Sequence, residues 1–339
     1  GDPYPLEITD DAVAPEDDPP ALDPGEAVRV ATGAPIPPRA TAVLKREAAD
    51  REERVLRGPP IEAGTNVYRR GSAVTAGETL AERGEVLAPK DAALFRDLGR
   101  ETVPVTERLS VAVVATGTEI HEGVQPDRDS EMLAGLVDAW GQTPRLVGSV
   151  PDGPDRVRDR IDGLSAEYDA VVTTGGTSVG RGDHVIGALD ALGEILFRGV
   201  SLRPGRPVTA ARLDDGTVVV ALPGKPVAAL LAAALVCRPF FEGSDAAETP
   251  PTQRVSLRRD VDVGDEGADT EYAVPVTLTD EGAMPLGHVD SALPVFRRQY
   301  RPGRIAASTR ATRADAVWIT DRGGEAGDSI AVVPMGALQ

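Results

Sequence analysis

The sequence predicts a multidomain chain of α/β and β parts. A central, doubly wound and mostly parallel sheet is flanked by a small β domain before it and a C-terminal β domain after it. Three observations predict this. Short apolar runs alternate with helix-period segments between about residues 108 and 245, as in βαβ units. The segments on either side carry short runs punctuated by Gly and Pro, with little helical period. The length of 339 residues suits more than one domain of ~100–200 residues.

Residues 1–27 are acidic and proline-rich and read as an extended lead-in or loop to the small β domain, which spans 1–76. Its candidate strands include Val28–Val30, Thr41–Leu44 and Glu53–Leu56. A connecting segment, 77–107, holds one helix, Pro89–Leu98, stopped by Gly99. In the sheet domain, 108–245, the predicted strands are Ser110–Ala115, Arg145–Val150, Ala170–Thr174, Ile195–Phe197, Pro207–Ala211 and Thr217–Ala221. Asp214-Asp-Gly216 makes the last two a hairpin. The helices are Ser130–Trp140, Pro154–Leu164, His184–Leu192 and Pro226–Cys237, the first capped by Asp129 or Ser130. A polar linker at Gly243–Thr252 leads to a β domain at 253–339, with strands at Arg254–Leu257, Ala273–Leu278, Ala316–Thr320 and Ser329–Val333.

Composition narrows the function. There are 54 acidic and 36 basic residues, a net charge of −18, which disfavours nonspecific nucleic-acid binding. The longest apolar stretch, Val227–Cys237, is too short to span a bilayer at ~20 residues, and no signal peptide opens the sequence. A cytoplasmic protein without a membrane partner is expected. The single Cys237 excludes an intramolecular disulfide and a Cys-based zinc site, and its apolar surroundings predict a buried thiol. The three histidines, His121, His184 and His288, show no ligand spacing.

Open α/β sheets bind ligands beyond the carboxyl ends of their strands. At those positions stand Thr116-Gly-Thr-Glu119, Pro151-Asp-Gly153, Gly175-Gly-Thr-Ser-Val-Gly-Arg-Gly-Asp183 and Leu222-Pro-Gly-Lys-Pro226. Four glycines within eight residues make the third a candidate anion nest, with Gly175, Gly176 and the Ser178 hydroxyl as contacts. It matches neither of the common ATP and NAD fingerprints. A plain tight turn is the alternative. Glu119, Asp152 and Asp183 are candidate carboxylates for Mg²⁺ or a water, or else solvated loop acids and a helix cap. Arg198, Arg203 and Arg206 bracket a Pro/Gly loop, and Lys225 opens the last helix. In a chain of −18, an anionic substrate needs such a local cationic cluster. Pro223 and Pro226 around Gly224 give a stiff turn and a helix start. In the β domain, Thr32 and Gly33 lie on a second rigid turn that reads as an ordinary connection on its own.

The ordered set Thr32-Gly-Ala-Pro-Ile-Pro37, Thr116-Gly-Thr-Glu119, Gly175–Gly180 with Asp183, Arg203-Pro-Gly-Arg-Pro207 and Leu222-Pro-Gly-Lys-Pro226 resembles the MoeA family of molybdopterin molybdenumtransferases, which includes the gephyrin E domain. The resemblance runs from about Val28 to Phe241 and implies a sheet domain of the molybdopterin-binding type. It implies insertion of molybdate, or in some archaeal relatives tungstate, into adenylylated molybdopterin with release of AMP. It further implies Mg²⁺, with Glu119 and Asp183 as its ligands, and a homodimer whose cleft joins the β domain of one subunit to the sheet domain of the other. A molybdopterin adenylyltransferase is an implied partner. Positions matching Thr32, Glu119, Asp152, Asp183, Arg198, Arg203, Arg206, Pro223 and Pro226 line that cleft, with Glu119, Asp152 and Asp183 as the catalytic set. Thr116, Gly175, Gly176, Ser178, Gly224 and Lys225 belong to the substrate side.

The departures fall on acids. The family's Asp-Gly-Tyr-Ala segment before the β domain is absent from this sequence. Arg69-Arg-Gly-Ser-Ala73 lacks two acids of the family pattern, and Thr118 replaces another. The last domain lacks the family's Ser-Gly and Ala-Asn-Gly pattern. Two alternatives therefore stand beside the transferase: a non-catalytic molybdopterin-binding protein, and a molybdopterin adenylyltransferase or nucleotide hydrolase on the same sheet domain.

Overall fold

The computed structural model describes residues 4–69, 71–176, 184–243, 250–264 and 269–339. The chain divides into two units, residues 1–85 and 86–339.

The first unit holds β1 (Leu6–Val13), β2 (Glu26–Val30), β3 (Asp50–Glu52) and β4 (Val55–Arg57), ordered β2-β1-β4-β3. β1 corrects the reading of residues 1–27 as a lead-in. Leu6 and Ile8 alternate with exposed Glu7 on a half-buried face, a strand pattern masked by the prolines and acids around it. Thr41–Leu44 is no strand. Val43 N–H donates to Thr65 O (2.9 Å) and Val43 O accepts from Asn66 Nδ2 (2.8 Å), so a turn takes the bonds of a ladder.

The second unit opens with α1 (Asp91–Asp97) and then β5 (Ser110–Thr116), α2 (Thr118–His121), α3 (Ser130–Ala139), β6 (Thr143–Val150), α4 (Pro154–Ser165), β7 (Ala170–Thr174), α5 (His184–Leu192), β8 (Gly193–Arg198), β9 (Leu202–Arg203), β10 (Thr209–Leu213) and β11 (Val218–Leu222). The sheet order is β6-β5-β7-β11-β10-β8. β6, β5, β7 and β11 are mutually parallel, and β10 is antiparallel to both β11 and β8. The predicted doubly wound sheet with its hairpin is therefore present.

Each face has its own core. Val111, Val113, Val172 and Val220 meet Leu133, Leu136 and Val137 of α3. Ala112, Val114, Val171 and Val219 meet Val157 and Ile161 of α4 and Val185 and Leu189 of α5. β7 is buried along its whole length, which is why its sequence does not alternate between apolar and charged residues.

The next helix begins as predicted at Pro226 but runs on through α6 (Pro226–Ala232), a wider turn at Ala233–Cys237 and α7 (Arg238–Glu242). Pro239 lacks a donor N–H, and the wider turn just before it accommodates the break. Cys237 is buried here, and burial pushes its thiol up to about 12.

A third sheet follows: β12 (Gln253–Ser256), β13 (Glu271–Thr279), β14 (Gly282–Pro285), a short α8 (Pro302–Ile305), β15 (Ala316–Thr320) and β16 (Ser329–Pro334). Its order is β12-β16-β15-β13-β14, and β9 pairs in parallel with the start of β13. Its core residues Leu257, Val274, Trp318 and Val332 continue the α3/α6 layer. Among the described residues no helix is long and apolar enough to cross a membrane.

Candidate functional site

The four parallel strands end at one edge, and their following turns are tied together by backbone. Gly117 N–H donates to Val150 O (3.1 Å), joining the β5 and β6 ends. Gly175 N–H donates to Leu222 O (3.0 Å), joining β7 and β11. A Cβ on Gly175 would lie 2.8 Å from Thr116 O, and one on Gly224 would lie 3.0 Å from Gly175 Cα. Gly175 also has φ +88°, a region that side chains disfavour. Thr116, Gly175, Gly176 and Gly224 are thus brought together, and the close approach requires glycine. A Cβ on Gly176 would meet Val185 Cγ2 at 2.7 Å.

The acids part company. Asp152 Oδ2 accepts from Thr118 N–H (3.0 Å), and Asp152 N–H donates to Thr118 Oγ1 (3.0 Å). This reciprocal pair clasps the β6 end to the first turn of α2. The Asp152 carboxylate therefore has a positional occupation of its own. Glu119 is exposed on α2, close beside Gly117. Asp183 and Ser178 lie outside the described residues. Among the described residues no group of three His, Cys, Asp or Glu side chains is arranged to hold a metal ion.

Arg198 and Lys225 stand at the same edge, and Arg203 and Arg206 follow on the loop after β8. Arg198 ends β8 and is paired in register with Thr209. The loop behind it is closed by Gly199 N–H to Val208 O (2.8 Å) and Val200 N–H to Arg206 O (3.0 Å). Arg203 lies in β9, half-buried beside β13, while Arg206 is exposed. Pro223 and Pro226 are buried, and exposed Lys225 stands at the start of α6 with Pro226 in the first helical turn. The first free amide of α6, Val227 N–H, donates to Ala306 O (3.0 Å) of the segment after α8. Thr32 and Gly33 lie in the first unit, exposed on the turn after β2, with Gly33 at φ +85°.

Sequence reasoning missed Asp127, Asp129 and Thr174. Asp129 stands at the N-cap position of α3 as expected, but its side chain makes no capping bond. Asp127 Oδ1 accepts from Asp129 N–H (3.1 Å) and Ser130 N–H (3.0 Å). Asp129 turns inward instead, only 5% exposed, and its Oδ2 accepts from Thr174 Oγ1 (3.1 Å). Thr174 O in turn accepts from Thr116 Oγ1 (3.1 Å). Burial holds the Asp129 carboxyl above the ordinary carboxylate range, against the pull of the Thr174 hydroxyl. Two aspartates one residue apart before a helix gave a signal for capping but not for which one caps.

A cavity of about 330 Å³ lies elsewhere, between α3, Leu230, Thr312 and Gln339, and contains none of the residues singled out from the sequence.

Residues 3–99 match the MoeA N-terminal region, described as domains I and II, and residues 112–243 match a probable molybdopterin binding domain. The chain is 31% identical over 254 residues to molybdopterin molybdenumtransferase 2 of Mycobacterium tuberculosis H37Rv, covering 70% of this chain and 62% of that protein. It is 30% identical over 242 residues to molybdopterin molybdenumtransferase of Bacillus subtilis, covering 68% and 56%. The aligned region thus spans less than two thirds of these relatives. A structure of a molybdopterin biosynthesis MoeA protein from Pyrococcus horikoshii OT3 shares the fold, with TM-score 0.71, 21% identity, and 97% of this chain and 81% of that one covered.

Proposed function

We propose, for a chain that belongs to the MoeA family, that the carboxyl edge of the central sheet binds adenylylated molybdopterin and inserts molybdate into it with release of AMP. The observation that carries this reading is the glycine-to-backbone packing of the Thr116–Gly117, Gly175–Gly176 and Gly224 turns beside the Arg198, Arg206 and Lys225 cations. Arginine forks and a lysine suit phosphate and oxyanion. In a protein of −18 they give an anion a local reason to bind.

In this reading the Gly175–Gly176 turn, Ser178, Arg198, Arg203, Arg206 and Lys225 hold the pterin phosphate, the adenylate and molybdate. Pro223 and Pro226 stiffen the wall on which Gly224 sits. Asp152 keeps α2 in place through Thr118, and so sets where Glu119 stands. Glu119 and Asp183 orient the water that cleaves the phosphoanhydride. Thr32 and Gly33 belong to the family's substrate side in the first unit. The described carboxylates alone do not fit a Mg²⁺ site. Mg²⁺ would depend on substrate phosphate oxygens for much of its shell. A second copy of the chain, an adenylyltransferase as supplier of substrate, and a cytoplasmic location complete the reading.

One observation favours a second reading. The Asp152 carboxylate is engaged with Thr118, which leaves the described edge short of acids for hydrolysis. The chain would then bind the pterin without completing the cofactor. The test is AMP release from adenylylated molybdopterin with and without molybdate, with Mg²⁺ and high KCl, recording retained pterin in the same sample. Molybdate-dependent AMP supports the transferase. Retained pterin without AMP supports the binder. Neither AMP nor retained pterin removes both.

A further inference from the structure

We propose that Asp129 is a positioning residue of the carboxyl edge, setting the Gly175–Gly176 turn through the side chain of Thr174. The inference rests on the reading above only for what the turn binds.

The helix does not need Asp129. Asp127 already accepts the Asp129 and Ser130 amides at the start of α3. A carboxyl group at this place would ordinarily face water. Asp129 is instead buried, with one oxygen on Thr174 Oγ1 and the other, Oδ1, without a hydrogen-bond partner among the described residues. The neighbouring Ser130 Oγ is in the same condition. Burying an acid with half its acceptors unmet is costly, and an apolar side chain would fill the space at lower cost. Capping and packing therefore leave this residue unexplained.

What the carboxyl group does is connect three elements. It takes the Thr174 hydroxyl from the last residue of β7. The carbonyl of that same residue takes the Thr116 hydroxyl at the end of β5. The next residue is Gly175, whose missing Cβ would lie 2.8 Å from Thr116 O and 2.9 Å from Thr116 Oγ1. There is no slack in that contact. A small rotation at Thr174 passes directly into the turn and into the Gly175 N–H bond to Leu222 O. Asp129 is thus linked through Thr174 to the Thr116 and Gly175 turns and, through the Gly175 amide, to Leu222.

The test uses the full chain and four single variants, Asp129→Asn, Asp129→Leu, Thr174→Val and Asp127→Ala, with one double variant. The first readout is amide hydrogen exchange at Gly175, which needs no ligand. Asp129→Leu and Thr174→Val are expected to speed it tenfold or more. Asp129→Asn keeps an acceptor for the hydroxyl and should leave it within about twofold. Asp127→Ala should speed only the first turn of α3. The double variant Asp129→Leu/Thr174→Val should be no faster than either single, because both remove one link. The second readout is affinity for adenylylated molybdopterin, expected to fall tenfold or more in the Leu and Val variants and to be kept by Asn. Thr174→Val, a near-isosteric change, keeps the test informative should Asp129→Leu fail to fold. Unchanged Gly175 exchange in the Leu and Val variants would overturn the positioning role, whatever happens to affinity. Faster exchange in a chain that binds no pterin would uphold the positioning role and remove the substrate reading instead.

Discussion

The two ends of the central sheet are built on opposite terms. At the amino end, polar groups pair across the strand starts, Trp140 Nε1 at the end of α3 being the buried exception without a partner among the described residues. Asp169 Oδ2 accepts from Ser110 N–H (2.7 Å) and Ser110 Oγ (2.6 Å), closing β5 onto β7. Gln142 Oε1 accepts from Leu109 N–H (2.6 Å), and Asp215 Oδ1 accepts from Thr217 N–H (2.9 Å) in the hairpin. These bonds hold the Asp169 carboxyl below the ordinary range, the Ser110 hydroxyl contributing most. The Asp215 carboxyl is also held low, first by the Thr217 amide. At the carboxyl end, Asp129 is held high by burial, Asp129 Oδ1, Ser130 Oγ and Thr173 Oγ1 have no partners among the described residues, and turns pack at distances only glycine allows. One end is arranged for stability. The other keeps most of the unmet polar groups, and the tight turns, where a ligand would sit, the pattern expected where function opposes stability.

The largest expected break comes from glycine. Gly175→Ala meets a backbone oxygen and a disfavoured φ, and should cost about 3 kcal/mol in urea unfolding. Gly216, in the amino-end hairpin, also has a positive φ (+96°) but nothing within 4 Å of its missing Cβ. Gly216→Ala should cost only about 1 kcal/mol. Equal costs would erase the contrast between the ends.

Much of this was legible beforehand and some was not, for physical reasons. β5, β7 and β11 read clearly because strands buried on both faces are continuous apolar runs. The convergence of their turns followed from parallel topology alone. β1 was hidden because its ladder sits among prolines and acids that look like a loop. β9 is two residues long and exists through its pairing with β13, which no local pattern announces. The Asp129 link was illegible because capping and burial draw on the same residue type.

Next in size is Asp169→Ala, expected to cost about 1 kcal/mol at neutral pH for two lost bonds on a largely exposed carboxylate. Its folded value is lowered, so its contribution is present above the ordinary aspartate value of ~3.9 and fades as pH falls through the lower folded value. Unfolding titrations of the two proteins should therefore converge in acid. Asp127→Ala should cost a similar ~1 kcal/mol as a lost cap, read by unfolding and by faster amide exchange at Ser130.

The smallest effect is a slope of opposite sign. Asp129 has a raised folded value, so its ionisation disfavours the folded state. That penalty is absent below the ordinary value and complete above the folded one. Asp129→Asn should remove a loss of stability with rising pH, where Asp169→Asn removes a gain. Slopes of the same sign would show that the two ends do not differ in this respect.

The central claim is that the carboxyl edge, and not the amino edge, receives the pterin. Amide exchange of the full chain with and without adenylylated molybdopterin tests it directly. The account predicts protection at Thr116–Glu119, Gly175–Gly176 and Gly224–Lys225, with Leu109–Ser110 and Thr217 unchanged. Protection at the amino end, or binding that leaves the glycine turns untouched, would contradict it.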